Sequence, residues 1–73
     1  MPDLNEDRAT LATAYEQFSQ ARKDIGWKMI ADEVKQLKSK EALAAFTRVL
    51  VSQARKDKDT DTLDFLTLNK IIY

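Results

Sequence analysis

Glycine and proline, the residues that most strongly interrupt regular backbone structure, are nearly absent from this chain. The one proline is Pro2 and the one glycine is Gly26, so the whole stretch from Trp27 to Tyr73 contains neither. A chain with so few backbone breaks is most simply built from helices, and those helices must end at polar caps and charged turns instead. The sequence therefore predicts an all-α protein.

The length of 73 residues predicts one helical domain spanning 1–73. A domain of this size buries only ~60% of the surface that its unfolded chain exposes, so its stability is marginal without reinforcement. The chain has no cysteine and no histidine, which excludes disulfides and the usual zinc frameworks. Close helix packing or self-association must supply any extra stability, and a homodimer is therefore an open option.

The first half of the chain predicts two amphipathic helices. The first runs from Leu4 to Ile25 with apolar and small residues at heptad spacing, and Gly26 offers a left-handed stop. The second runs from Trp27 to Leu37 with its apolar residues on one stripe. Each helix needs a neighbour to cover its apolar stripe.

A third helix is predicted from Lys40 to Arg55, after a polar turn in which Ser39 can act as the cap. The second and third helices could also run together, because this cap is not a strong one. Apolar residues cover far more than a third of the third helix, so it lies at the centre of the bundle or turns one side to another molecule. Its two adjoining interfaces are predicted to contain Leu43, Phe46 and Leu50, and Ala42, Ala45 and Val49.

The charged segment 55–62 contains no apolar residue and predicts a solvated connection to a short last helix. The predicted fold is thus a small helical bundle of three main helices plus a short C-terminal helix. The core candidates are Leu11, Phe18, Ile25, Trp27, Ile30, Val34, Leu37, Leu43, Phe46, Leu50 and Leu66.

Charges balance overall, with 12 basic and 12 acidic residues. They are interleaved closely enough to favour a solvated mixed-charge surface, although residues 22–58 are basic and both flanks are acidic. The acidic start of the chain contains no apolar stretch of the secretory type, and no run approaches the ~20 apolar residues that span a bilayer. The sequence predicts a cytoplasmic protein without membrane contact.

Catalytic and metal-binding chemistry is hard to place on this sequence. Asp32 and Glu33 are adjacent in a helix and so diverge, and no histidine is present for acid–base work at neutral pH. The aspartates of segment 57–64 alternate as in a calcium loop, but Thr62 and Leu68 stand where glycine and glutamate are needed. We therefore expect no enzymatic activity, no cofactor and no metal site.

Because neither catalysis nor metal binding is expected, the predicted function is binding to another protein. We expect a non-catalytic interaction module that acts as a regulator, adaptor or inhibitor of a larger protein, with a homodimer as an additional option. An aromatic side chain beside aliphatic ones makes a good anchor in such contacts. The residues predicted to contact the partner are Arg48, Val51, Arg55, Lys56, Phe65, Ile72 and Tyr73.

Two alternatives remain open. The second and third helices could form a helix-turn-helix in which Arg48, Arg55 and Lys56 contact DNA phosphates, but the turn lacks a glycine and the reading helix begins with apolar residues suited to a core. The chain could also be a self-assembling structural subunit, whose mass would depend on concentration without any outside partner. The sequence does not identify the larger protein.

Overall fold

The computed structural model describes residues 4–69 and shows, within this range, four helices and no strand. The helices are α1 (Leu4–Arg22), α2 (Ile25–Val34), α3 (Lys40–Lys56) and α4 (Thr60–Leu68). The predicted all-α bundle of three main helices and a short fourth helix is confirmed. Residues 35–39 separate α2 from α3, so these helices are not continuous.

The boundary between α1 and α2 differs from the prediction that placed it at Gly26. Helix α1 ends at Arg22 because Lys23 takes the left-handed conformation, with φ of 54°. Asp24 then caps α2, and its Oδ1 accepts a hydrogen bond of 2.9 Å from the backbone N–H of Gly26. Gly26 has no positive φ and lies in the first turn of α2. The predicted glycine stop is therefore wrong, because a lysine and a polar cap end α1 earlier.

Polar caps begin the two later helices. The Ser39 hydroxyl accepts a hydrogen bond of 3.1 Å from the N–H of Ala42, which confirms the predicted cap of α3. At α4, the Asp59 carboxylate accepts from the N–H of Thr62 at 3.1 Å and from its hydroxyl at 2.6 Å. Side-chain oxygens thus supply the helix starts in a chain that lacks glycine and proline after residue 26.

Helix α1 lies at the centre of the described bundle, because it packs against α2, α3 and α4. Its Tyr15 side chain is fully buried, and the hydroxyl donates a hydrogen bond of 2.6 Å to the Phe46 carbonyl of α3. Burial raises the pKa of Tyr15 well above its ordinary value of 10.0. Of the two alternatives for α3, the central position is thus taken by α1, and α3 packs on one side of it.

The core contains most of the predicted residues. Trp27, Ile30, Leu37 and Phe46 are only partly buried against it. Ile25 is wrong as a core residue, because it begins α2 after the chain has turned and its side chain is 76% exposed. The buried apolar residues are Leu11, Ala12, Ala14, Tyr15, Phe18, Ala31, Val34, Leu43, Leu50, Val51, Ala54 and Leu66.

The C-terminal end of α1 is tied to the connection between α3 and α4 by Arg22. Its Nε lies 2.9 Å from Oδ2 of Asp57, and its Nη1 lies 3.0 Å from Oδ2 of Asp59. The guanidinium carbon lies 3.6 Å from the centre of the Phe18 ring. The Phe18 and Trp27 rings form an edge-to-face pair with their centres 5.0 Å apart. The two ion pairs of Arg22 attach the connection after α3 to the C-terminal end of α1.

Candidate partner-binding surface

Helix α3 turns one side to the core and the opposite side to solvent. Its buried residues include Leu43, Leu50 and Ala54. Because an α-helix advances by about 100° per residue, the positions opposite them form a continuous exposed strip. We call this strip the α3 outer face, and it consists of Glu41, Ala44, Ala45, Arg48, Val49, Ser52, Arg55 and Lys56, all exposed.

Small side chains occupy the middle of the α3 outer face. Ala45 and Ser52 lie two turns apart on the midline, and Val49 beside them is 50% exposed. Interaxial distances between packed helices depend on the side chains at the contact, and small residues allow the shortest distances of about 8 Å. A second helix could therefore approach α3 closely along this line.

Basic side chains flank that midline. Arg48 and Arg55 are seven residues apart on one flank, and Lys56 lies on the other. No ion pair joins any of these three cations to a residue in the range 4–69. With Glu41 as its one acidic member, the face carries three positive charges and one negative charge. The net positive charge of the α3 outer face favours contact with an acidic surface of a partner.

The structure brings together three of the residues predicted to contact a partner, namely Arg48, Arg55 and Lys56. Val51 requires a correction, because it is only 8% exposed and belongs to the core. It lies on the same side of α3 as Thr47 and Ala54, which are also buried. A side chain with so little exposed surface offers a partner almost no contact area.

The remaining predicted contacts lie towards the end of the chain. Phe65 of α4 is partly buried against the core, so only part of its ring is accessible. Ile72 and Tyr73 lie outside the described residues. Partner contact by these three residues stays a prediction.

The predicted contacts omitted five members of the α3 outer face, namely Val49, Ala45, Ser52, Glu41 and Ala44. A signal for the first two was present, since the wide apolar circumference of the third helix assigned Ala45 and Val49 to a second interface. The sequence did not show which of the two apolar stripes would be covered by α1. Ser52 gave no signal of its own.

The aspartates that resemble a calcium loop have another role in the structure. Hydrogen bonds from Arg22, and then from Gln53, lower the pKa of Asp57. Burial alone would raise the pKa of Asp59, but hydrogen bonds from Thr62 and Arg22 outweigh it, and the net shift is downward. Both carboxylates are thus held ionised by partners within the chain. Among residues 4–69 there is no group of three or more acidic, histidine or cysteine side chains placed to hold a metal ion.

A second exposed apolar pair lies at the start of α2. Ile25 is 76% exposed and Met29 is 63% exposed, and they are one turn apart. Lys28 and Asp32, also exposed, carry opposite charges on this helix, so the surroundings of the pair favour neither sign of partner. The α3 outer face is the better-defined surface because it combines small residues with one predominant charge.

None of the helices in the described range is both long enough and apolar enough to cross a membrane. No protein-family model, no curated protein and no solved structure matches the chain.

Proposed function

We propose that this protein is a non-catalytic interaction module that regulates, adapts or inhibits a larger protein by docking the α3 outer face on it. The observation that supports this proposal is the combination on one exposed helix face of a small-residue midline with three cations not used within the described bundle. We further expect the protein to act in the cytoplasm and to need no cofactor.

The chemistry of the α3 outer face favours an acidic helix as the docking element of that larger protein. Ala45 and Ser52 let its backbone come close, and Val49 offers apolar surface. Arg48 and Arg55 would then lie beside its carboxylates. Charges at the edge of an interface mainly select the partner and speed the encounter, while the buried centre contributes most of the affinity.

Site-specific photocrosslinking in the native host tests the position of the contact. A benzophenone side chain is placed at Ala45 and, as the matched control, at Thr13 on the exposed side of α1. We expect one larger protein to be crosslinked from position 45 and not from position 13. Equal capture from both positions, or capture from neither, would contradict the proposal.

Direct binding to the captured protein tests the role of charge. The double variant Arg48→Glu, Arg55→Glu should bind at least about tenfold more weakly, because two attractive contacts become repulsive. Lys28→Glu on α2 is the control and should bind like the unmodified protein. An unchanged affinity of the double variant in titration calorimetry, with its circular dichroism unchanged, would remove the α3 outer face from the contact.

DNA binding is the second candidate, and it is favoured by the same observation that Arg48, Arg55 and Lys56 share one exposed side. Three phosphate contacts would give an affinity for duplex DNA that falls with roughly the third power of salt concentration. An interaction module for an acidic protein should ignore bulk DNA at ~0.15 M salt. Fluorescence anisotropy with labelled duplex DNA at several salt concentrations separates the two candidates.

A further inference from the structure

Helix α4 carries an exposed strip of the opposite charge to α3. Asp61, Asp64 and Leu68 are spaced by three and four residues, which places them on one side of the helix. All three are exposed, and the side chain of Leu68 is 82% exposed. Neither aspartate forms an ion pair with any residue that the structure describes. We call this strip the α4 outer face.

The α3 and α4 outer faces match in spacing as well as in charge. On α3 an apolar residue and a cation, Val49 and Lys56, are seven residues apart; on α4 an anion and an apolar residue, Asp61 and Leu68, are also seven apart. Seven residues span about 10 Å of helix in each case. When two such helices lie antiparallel, the cation meets the anion and the two apolar side chains meet each other.

The two faces of one chain are not available to each other. Helices α3 and α4 are joined by residues 57–59 and pack on each other and on α1, with Leu50 and Leu66 fully buried. Their outer faces are turned away from this contact to solvent. A second copy of the chain carries both faces and can present each of them to its complement.

We propose that two copies of this chain form a symmetric dimer in which the α3 outer face of each copy packs against the α4 outer face of the other. A twofold axis repeats the contact, so that each copy uses both faces and the assembly closes at two. The dimer needs no larger protein, and this inference therefore goes beyond the proposed function. It would also cover the α3 outer face and so compete with the docking of a larger protein.

Charge supplies much of the predicted attraction, so the dimer should depend strongly on salt. Sedimentation equilibrium is measured from about 10 µM to about 1 mM protein, at about 0.05 M and about 0.5 M salt. We expect the mean mass to rise towards twice the monomer mass with concentration at low salt. High salt should weaken the dimer at least about tenfold. A monomeric mass at every concentration in low salt would overturn the proposal.

Charge reversal tests which faces are in contact. Arg55→Glu with Lys56→Glu makes the α3 outer face acidic, and Asp61→Lys with Asp64→Lys makes the α4 outer face basic. Each double variant alone should self-associate at least about tenfold more weakly, because both copies of the contact become repulsive. An equimolar mixture of the two should restore association through the one contact in which both reversed faces meet, while the other contact keeps its original charges.

Controls separate a lost contact from a lost fold. Circular dichroism melting curves report whether each double variant is helical. If charge reversal on α3 unfolds the protein, the neutral double variant Arg55→Gln, Lys56→Gln takes its place. Weaker self-association of this neutral variant supports the contact. Lys28→Glu, on α2, should associate like the unmodified protein. Folded variants that associate normally, or a mixture that stays monomeric, would overturn the proposed pairing of faces.

Discussion

The C-terminal end of α1 and the α3 outer face both carry arginine, and the fold uses that residue in opposite ways. Arg22 lies against the Phe18 ring and is held by two carboxylates at 2.9 and 3.0 Å. Arg48 is exposed and forms no ion pair with any residue between positions 4 and 69. The contrast indicates that the first cation stabilises the fold, whereas the second is available for contacts outside the chain.

Position relative to the core explains this difference. The Arg22 side chain leaves α1 where the α3–α4 connection passes, so Asp57 and Asp59 are within reach. The Arg48 side chain leaves α3 on the side opposite Leu50, which is fully buried. The same residue type therefore has a structural role at one site and a proposed binding role at the other.

The largest expected effect is the loss of stability when Phe18, beside Arg22 at the C-terminal end of α1, is replaced. Phe18→Ala removes a fully buried ring that contacts both Trp27 and Arg22, and should lower the free energy of unfolding by about 4 kcal/mol. A chain of 73 residues has little stability to spare, so this variant should lose most of it and unfold at a much lower urea concentration. Urea unfolding measures both this change and that of Val49→Ala, which should stay within about 0.5 kcal/mol.

The next largest effect is the difference in stability between alanine variants of Arg22 and Arg48. Arg22→Ala loses the contact with the Phe18 ring and leaves the carboxylate of Asp59, only 13% exposed, without its cation. The free energy of unfolding should fall by about 1–2 kcal/mol. Arg48→Ala should change it by less than about 0.5 kcal/mol. If thermal or urea unfolding showed the same loss of free energy for both variants, Arg22 would not stabilise the fold more than Arg48 does.

A smaller effect concerns the hydroxyl that joins α1 to α3. Tyr15→Phe removes the hydrogen bond to the Phe46 carbonyl and should lower the free energy of unfolding by about 1 kcal/mol near neutral pH.

Alkaline pH should reduce the stability difference between the unmodified protein and Tyr15→Phe. The pKa of Tyr15 is raised in the folded state, so the unfolded state loses that proton first as pH rises above about 10. The free energy of unfolding of the unmodified protein therefore falls as pH rises in alkali. Tyr15→Phe has no hydroxyl at this position, so it does not lose stability in this way. Urea unfolding between about pH 8 and about pH 11 should show the gap between them narrowing. A constant gap would contradict burial of the hydroxyl in a proton-retaining site.

The smallest effect is the acid response of the Arg22 site. The pKa values of Asp57 and Asp59 are lowered in the folded state, so their contribution is present above the ordinary value of 3.8 and is lost as pH falls through the folded values. The stability difference between the unmodified protein and Arg22→Ala should therefore shrink below about pH 4. Arg48→Ala should follow the unmodified protein at every pH, and thermal unfolding monitored by circular dichroism checks both.

Local features of the fold could be predicted because they depend on neighbours in sequence. The spacing of apolar residues indicated the first three helices, and the density of apolar residues after the charged segment indicated the fourth. Ser39 was identified as a cap from its position before α3. The end of α1 was missed because Lys23, a residue with no special preference for positive φ, takes the left-handed conformation instead of Gly26.

The candidate surface could be predicted only in part. Arg48, Arg55 and Lys56 were identified because charged residues stay exposed in almost any packing. Val51 was placed on the wrong side, because α3 is apolar over so much of its circumference that its sequence does not show which stripe is covered. The packing of α3 on α1 and α4 buried Val51 and left Val49 half exposed.

By itself, the sequence determined the helical class, the polar caps and the lack of histidine and cysteine chemistry, since these follow from composition and from relations between residues three or four positions apart. Only the tertiary structure decided that α1 is central, that Arg22 pairs with Asp57 across 35 positions, and that one side of α3 remains exposed. Those outcomes depend on which helices pack against each other. The apolar stripe of a helix shows that the helix must pack on a neighbour, but it does not show which helix that neighbour is.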